Sequence, residues 1–339
     1  MKPKILGFDG KEIVLNSHEK RAAEINQRQV NALGFEIDMT TLTTIIKKVT
    51  EQKFFHIAPA DYLPVRVGEG AWSTALTTYR SFQLGDDFEK GNINTGGQNG
   101  RLSAISTGID SLSVPVMNWA KEIGYTLFDL QQAAKSGNWD LVTELEKGRK
   151  TNWDLGIQKI AFLGSDSNPN VLGLLTQAVT PNTSLITTPI SQMAAGAFKT
   201  FCASILGAYR TQNNRTAFPT HFIIPEDDYL GLASPTDAGF PLKSALAVLL
   251  ETFQVMTNNP NFKILPCAYG LASQNSLGVN RYALLNYDES SIRMDIPVDY
   301  TSTLANTVNS FSFQNVGYGQ YTGVLAYRPL ELMYLDDTP

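Results

Sequence analysis

The strongest constraint on the fold of this chain lies between residues 71 and 118. Two strand-like runs, 71–84 and 102–119, flank the segment GDDFEKGNINTGGQNG at 85–100. Trp72, Tyr79 and Phe82 mark the first run. Leu112, Val114 and Val116 alternate at period two in the second, the spacing of a strand with one buried face. The segment between them carries four glycines beyond Gly85 and almost nothing apolar, so it has no core of its own to form. The pattern predicts a long two-stranded hairpin with a polar tip. A lone hairpin is marginal in water, so the tip is expected to be ordered by a neighbouring copy.

Around the hairpin the chain reads as mixed α and β. Residues 1–37 look like an arm, with a turn at Asp9-Gly10, and a short helix is expected after the cap Asp38. Thr126 and Asp129 resemble a capping box for a helix over 127–134. A longer helix is predicted over 139–163, stopped by Gly164-Ser165-Asp166. Further helices are expected over 190–209 and 243–256, with a brief one opening at Glu226-Asp227-Asp228. Strands are expected over 221–224, 262–265, 281–286, 292–298, 310–313 and 322–327. The apolar run 327–335 is expected to be buried.

A chain of 339 residues, 43% hydrophobic, has material for a sizeable core. Its net charge of −5 excludes a protein that grips DNA through many phosphates. The densest basic cluster, Glu146 to Lys150, reads as a solvated helix face. Cys202 and Cys267 sit in apolar stretches, without CxxC partners, and read as buried free thiols. No run of about 18 apolar residues and no leader-like segment is seen, so synthesis and use in a reducing cytoplasm are expected.

Motifs for chemistry fail one by one. His18-Glu19 begins like HExxH but meets Ala22 at the fifth position. Ser17 to Lys20 matches SxxK without the companion elements. Gly96 to Gly100 lacks the GK[ST] of a phosphate loop. Asp86-Asp87 and Asp227-Asp228 read as solvated turn or helix-start residues rather than a cation site. His221 reads as a packed strand-end residue, and Trp72, Trp119, Trp139 and Trp153 as packing seams. No catalytic, metal or cofactor residues are assigned.

The order of parts resembles the Hong-Kong-97-type capsid fold of tailed-phage major capsid proteins and encapsulin shells, an α+β fold. Individual stretches are similar to one phage capsid family once catalogued as a domain of unknown function: VPVMNWAKEIGY at 114–125, DLQQAAKSG at 129–137, NWDLGIQKIAFLG at 152–164 and YRPLELMYL at 327–335. The resemblance implies an N-terminal arm and lead-in segment (1–67), an E-loop hairpin (68–118) and a P-domain (119–187 plus 291–339) with a spine helix over about 139–163. It also implies an A-domain (188–290). The implied function is self-assembly through hexamers and pentamers into an icosahedral virion shell around double-stranded DNA. No sequence-specific DNA binding, membrane or enzymatic role is expected.

By the same resemblance the E-loop tip, with Asp86, Asp87, Glu89, Lys90 and Arg101, would contact a neighbouring subunit. Assembly in the host bacterial cytoplasm with a separate scaffolding protein, a portal and a possible decoration protein is implied. Some such capsids join a Lys of the E-loop to an Asn of the P-domain. Lys90, Asn306, Asn309 and Asn315 are residues of those kinds, and an ordinary exposed Lys is the simpler reading. The alternatives are an encapsulin-type shell and, in a different class, a soluble α+β enzyme, which would show a pocket with convergent polar groups.

Overall fold

The buried strands explain the layering. In the computed structural model, which describes residues 55–84, 106–135, 140–233, 243–309 and 311–337, four strands form one sheet in the order β13-β7-β5-β6. They are β5 (His221–Pro225), β6 (Lys263–Cys267), β7 (Asn280–Leu285) and β13 (Leu332–Asp337). β5, β13 and nearly all of β7 are buried on both faces, so their sequences run apolar without alternation. Phe222, Ile224, Tyr282, Leu284, Met333 and Leu335 face one way. They pack against α3 (Phe198–Gln212), α4 (Glu226–Ala233) and α5 (Ala245–Thr257). Ile223, Ala283, Leu285, Leu332 and Tyr334 face the other way, into a second core with Trp153, Ile157, Ala161 and Phe162.

Those four residues belong to α2 (Leu141–Leu163), which follows α1 (Leu127–Lys135). Asp140 caps α2 by accepting the Thr143 N–H at 3.2 Å. Gly164 ends it at φ 79°, and a Cβ there would lie 2.4 Å from the Val171 carbonyl. The capping box before α1 is reciprocal. Asp129 accepts the Thr126 N–H at 2.9 Å, and Thr126 Oγ1 accepts the Asp129 N–H at 3.3 Å.

A second sheet wraps α2. β4 (Met117–Thr126) pairs antiparallel along its full length with β11 (Ser312–Tyr321), flanked by β9 (Val298–Ser302) and β10 (Asn306–Thr307). Two glycines of β11 let it close on the helix. A Cβ on Gly317 would sit 2.6 Å from Arg149 Nε, and one on Gly319 would sit 2.5 Å from the Trp153 ring. Gly319→Ala is therefore expected to cost about 1–3 kcal/mol through overpacking, read as a fall in the urea midpoint. No fall would mean that the indole has room to move. The remaining short strands, β1 (Val65–Val67), β8 (Ile292–Ile296) and β12 (Val324–Ala326), form a third sheet. The hairpin is β2 (Ala75–Leu84) with β3 (Ser106–Pro115).

Several expectations need correction. The second hairpin run does not continue to Trp119: it stops at Pro115, and β4 is a separate strand in another sheet. The strand expected at 310–313 is ten residues long, because its glycines make room for α2 rather than break the strand. The strand expected at 292–298 divides at Pro297 into β8 and β9. The helix expected from Ile190 begins at Phe198, after tight turns at Ile190–Gln192 and Ala195–Ala197. There the Asp228 carboxylate takes the Ile190 and Ser191 amides at 3.0 and 2.8 Å and the Tyr282 hydroxyl at 2.9 Å. Asp228 is thus buried, not a solvated helix-start residue. Arg149 is also buried, at 3% exposure, while its neighbours Lys147 and Lys150 are solvated as expected. The arm, the helix after Asp38, Trp139 and the hairpin tip lie outside the described residues.

Candidate assembly surfaces

The hairpin is held to the body at its base by polar contacts. Val116 N–H bonds the Thr74 carbonyl at 3.0 Å. Thr78 Oγ1 lies 3.3 Å from the Tyr327 hydroxyl, and Arg80 donates to the Tyr327 carbonyl at 3.3 Å. Arg293 lies over the Tyr327 ring and donates to its hydroxyl. These contacts use the inner face, where Leu76, Thr78, Arg80, Leu112 and Val114 lie. The opposite face turns to solvent: Tyr79 is 72% exposed and Ile109 74%. The register, Tyr79 opposite Ser111 and Ser81 opposite Ile109, puts both apolar side chains on that one face.

Trp72 departs from its expected place in a packing seam. It is 70% exposed, and its φ of 65° is rare for a bulky side chain. Trp119 and Trp153 do pack together, with ring centroids 5.2 Å apart. A groove of about 420 Å³ opens beside Trp72, lined by Thr74, Asn118, Ala120, Tyr318 and Gln320 among others. Sequence reasoning missed this surface. Its one signal was an aromatic between Gly70 and the start of β2, where backbone freedom is needed and a buried side chain is not.

The remaining candidates are structural. Cys202 and Cys267 are buried free thiols, and burial pushes both up to about 12, so they stay protonated. Asn306 and Asn309 are exposed, whereas Asn315 Oδ1 accepts a hydrogen bond from Arg149 at 3.0 Å. Asp86, Asp87, Glu89, Lys90 and Arg101 lie outside the described residues. Among the described residues no His, Cys, Asp and Glu side chains cluster as a metal site, and no helix is long and apolar enough to cross a membrane.

His221 is packed at the start of β5, as its sequence position indicated. It stacks on Tyr287 at 4.8 Å, and its Nδ1 meets Thr220 Oγ1 at 3.0 Å. Burial first, then the Lys263 ammonium, holds its pKa down to about 4, from 6.5. The unfolded chain therefore binds a proton that the folded chain refuses. This contribution is complete above pH 6.5 and is lost as pH falls toward 4, costing about 2–3 kcal/mol. His221→Gln is expected to flatten the decline in urea midpoint across that window. An equally steep decline would assign it to other groups.

A sequence profile of the family described as major capsid protein matches residues 92–337. The chain belongs to the major capsid protein family. No curated protein sequence matches it. Among solved structures, the capsid of Myoviridae phage XM1 is similar with a TM-score of 0.72 at 16% identity, covering 90% of this chain and 100% of that one. The capsid of a native GTA particle is similar at 0.57 and 12% identity, covering 91% and 98%. Mycobacterium phage Ogopogo follows at 0.55 and 8%, covering 90% and 100%. The fold of this major capsid protein is therefore the expected α+β, Hong-Kong-97-type one. Its role is that of a capsid shell subunit, and the encapsulin-type alternative is not favoured, since the profile is that of major capsid proteins.

Proposed function

We propose that this major capsid protein closes into an icosahedral shell of hexamers and pentamers around double-stranded DNA, as a structural and not a catalytic component. The observation that carries this reading is the hairpin: ten-residue strands that meet the body through one face, at Thr78 and Arg80, while Thr77, Tyr79, Ser81, Thr107, Ile109, Ser111 and Ser113 on the other face are exposed. Such an element has value to a chain that lays it on a neighbour. In this reading residues 68–118 are the E-loop and 188–290 the A-domain. Residues 119–187 plus 291–339 are the P-domain, with α2 as its spine helix, and residues 1–67 are the arm and lead-in. The sheet β13-β7-β5-β6 is shared between the A-domain, which gives β5, β6 and β7, and the P-domain, which gives β13.

The net charge of −5 suits a container that encloses DNA without gripping it. Buried, reduced cysteines suit assembly in the host cytoplasm. A scaffolding protein, a portal and a decoration protein are the further partners of this reading. The tip residues Asp86, Asp87, Glu89, Lys90 and Arg101 make the contact with the neighbour. Replacing all five by serine is expected to change the unfolding free energy of the unassembled chain by less than about 0.5 kcal/mol and to abolish shells in sedimentation velocity. Shells forming at the wild-type concentration would remove the tip from the interface.

A further inference from the structure

Among the described residues, every side-chain hydrogen bond from β2 and β3 to the body lands on one residue, Tyr327. We propose that Tyr327 positions the hairpin for assembly, and that Arg66, Asp295 and Arg293 fix Tyr327 from the lead-in, so that lead-in and hairpin move as one. The proposal rests on the shell reading above and names what sets the hairpin before copies meet.

The relay can be followed atom by atom. Arg66 on β1 stands opposite Asp295 on β8 in the parallel register, and its Nε lies 3.4 Å from Asp295 Oδ1. Arg293, two residues before Asp295 and so on the same face of β8, donates from Nε to Asp295 Oδ2 at 3.2 Å. The other end of its guanidinium donates to the Tyr327 hydroxyl at 2.5 Å and lies 4.9 Å from the centre of the Tyr327 ring. Tyr327 then meets Thr78 through its hydroxyl and Arg80 through its carbonyl, both at 3.3 Å. Asp295 and Tyr327 are buried, and the Arg293 side chain is only 13% exposed. Salt therefore screens these contacts little.

The chain around this clasp is built to pivot. Between β1 and β2, Gly68, Gly70 and Trp72 all have positive φ, at 92°, 77° and 65°. Glycine adopts such conformations freely, and a hinge is a few loop residues that absorb a change of backbone angle. Trp72 N–H donates to Gln320 Oε1 at 2.8 Å, which pins the far end of the turn. Past the clasp the hairpin stands off the body. A cleft of about 460 Å³ lies between residues 78–81 on one side and Glu289, Ser290 and Arg328 on the other.

One joint of the relay is open. Arg66 Nε and Asp295 Oδ1 are buried, and neither makes a hydrogen bond among the described residues. A buried donor and a buried acceptor left unmade are costly, and these two face each other across the 3.4 Å gap. Movement of β1 toward Asp295 closes the gap to a hydrogen bond of about 2.9 Å. Such a shift reaches the hairpin by two routes. β1 runs directly into the hinge turn, and Arg293 shares the Asp295 carboxylate with Arg66, so the same shift is felt at Tyr327.

The test uses the full chain with nitroxide labels at Ser111→Cys and Val255→Cys, both exposed positions. Cys202 and Cys267 are buried and stay unlabelled. The label-to-label distance, read by pulsed electron resonance, reports the hairpin against the body in the unassembled chain. Tyr327→Phe and Arg66→Gln are each expected to broaden that distance distribution and to lower the melting temperature by no more than about 4 °C. Each is also expected to raise the concentration needed for shells about three- to tenfold, the scale of one lost hydrogen bond. The double variant is expected to be no worse than the worse single variant, because both act in one chain of contacts. An unchanged distribution in either single variant, or additive effects in the double, would reduce the relay to ordinary sheet packing. Either overturns the proposal and leaves the shell reading standing. A wild-type chain that forms no shells overturns the shell reading, and the distances in the unassembled chain still decide the relay.

Discussion

Replacing Arg281 by alanine is expected to lower the unfolding free energy of the unassembled chain by about 3–5 kcal/mol. The guanidinium is buried on β7 and holds Asp336 of β13 through two hydrogen bonds, 2.8 and 2.7 Å. It also donates to the Leu175 carbonyl at 2.7 Å and lies 4.6 Å from the Tyr334 ring centroid. Truncation leaves the Asp336 carboxylate buried without its partner, the costly outcome for an ion pair out of water. Urea unfolding would show a lower midpoint at unchanged slope. The double variant Arg281→Met with Asp336→Leu is expected to recover most of the loss, because neither charge then remains to be solvated. A single-variant loss under about 1 kcal/mol would class the pair with solvated surface bridges.

Arg149→Ala carries the second large effect, also about 3–5 kcal/mol. Arg149 donates to the carbonyls of Lys121 on β4 and Asn315 on β11 at 3.3 and 3.2 Å, and to the Tyr300 hydroxyl on β9 at 2.9 Å. It also bonds Glu146, one turn back on α2. One side chain therefore ties α2 to three strands of the sheet wrapped around it, next to Gly317. Arg149→Met keeps the stem packed against that glycine and loses only the polar contacts. It is expected to cost clearly less than alanine, in the same urea measurement. Equal costs would mean that packing contributes nothing at this position. Because that sheet carries Gln320, which holds Trp72 at the turn before β2, the alanine variant is also expected to assemble poorly.

These two arginines mark where the sequence stops being readable. Elements encoded within a few residues are legible: the capping box at Thr126, α2 with its Gly164 stop, and the apolar runs of β5 and β7; the run expected to be buried over 327–335 is buried from Glu331 on but exposed at Arg328, Pro329 and Leu330. The resemblance carried by 114–125, 129–137, 152–164 and 327–335 led to the family. Among the charges at 146–150 Arg149 reads as solvated, although it lies four residues before Trp153 on the buried seam of α2. The strand pattern at 310–313 shows only the start of β11, and the space that Gly317 and Gly319 leave for α2 shows only in the fold. Asp228 looked like a helix-start acid, and only the fold brings the Ile190 and Ser191 amides to it. Trp72 reads as a packing residue like the other tryptophans, and only its backbone dihedral and exposure show otherwise. In each case the deciding partner is far away in sequence.

Self-assembly of this chain into a shell can be seen by negative-stain electron microscopy of the purified protein, with sedimentation velocity on the same sample. Closed shells, or five- and six-membered rings, are expected at concentrations where wild-type contacts add up around the ring. A monomer or dimer persisting across salt, pH and concentration, with added scaffolding protein making no difference, would contradict it.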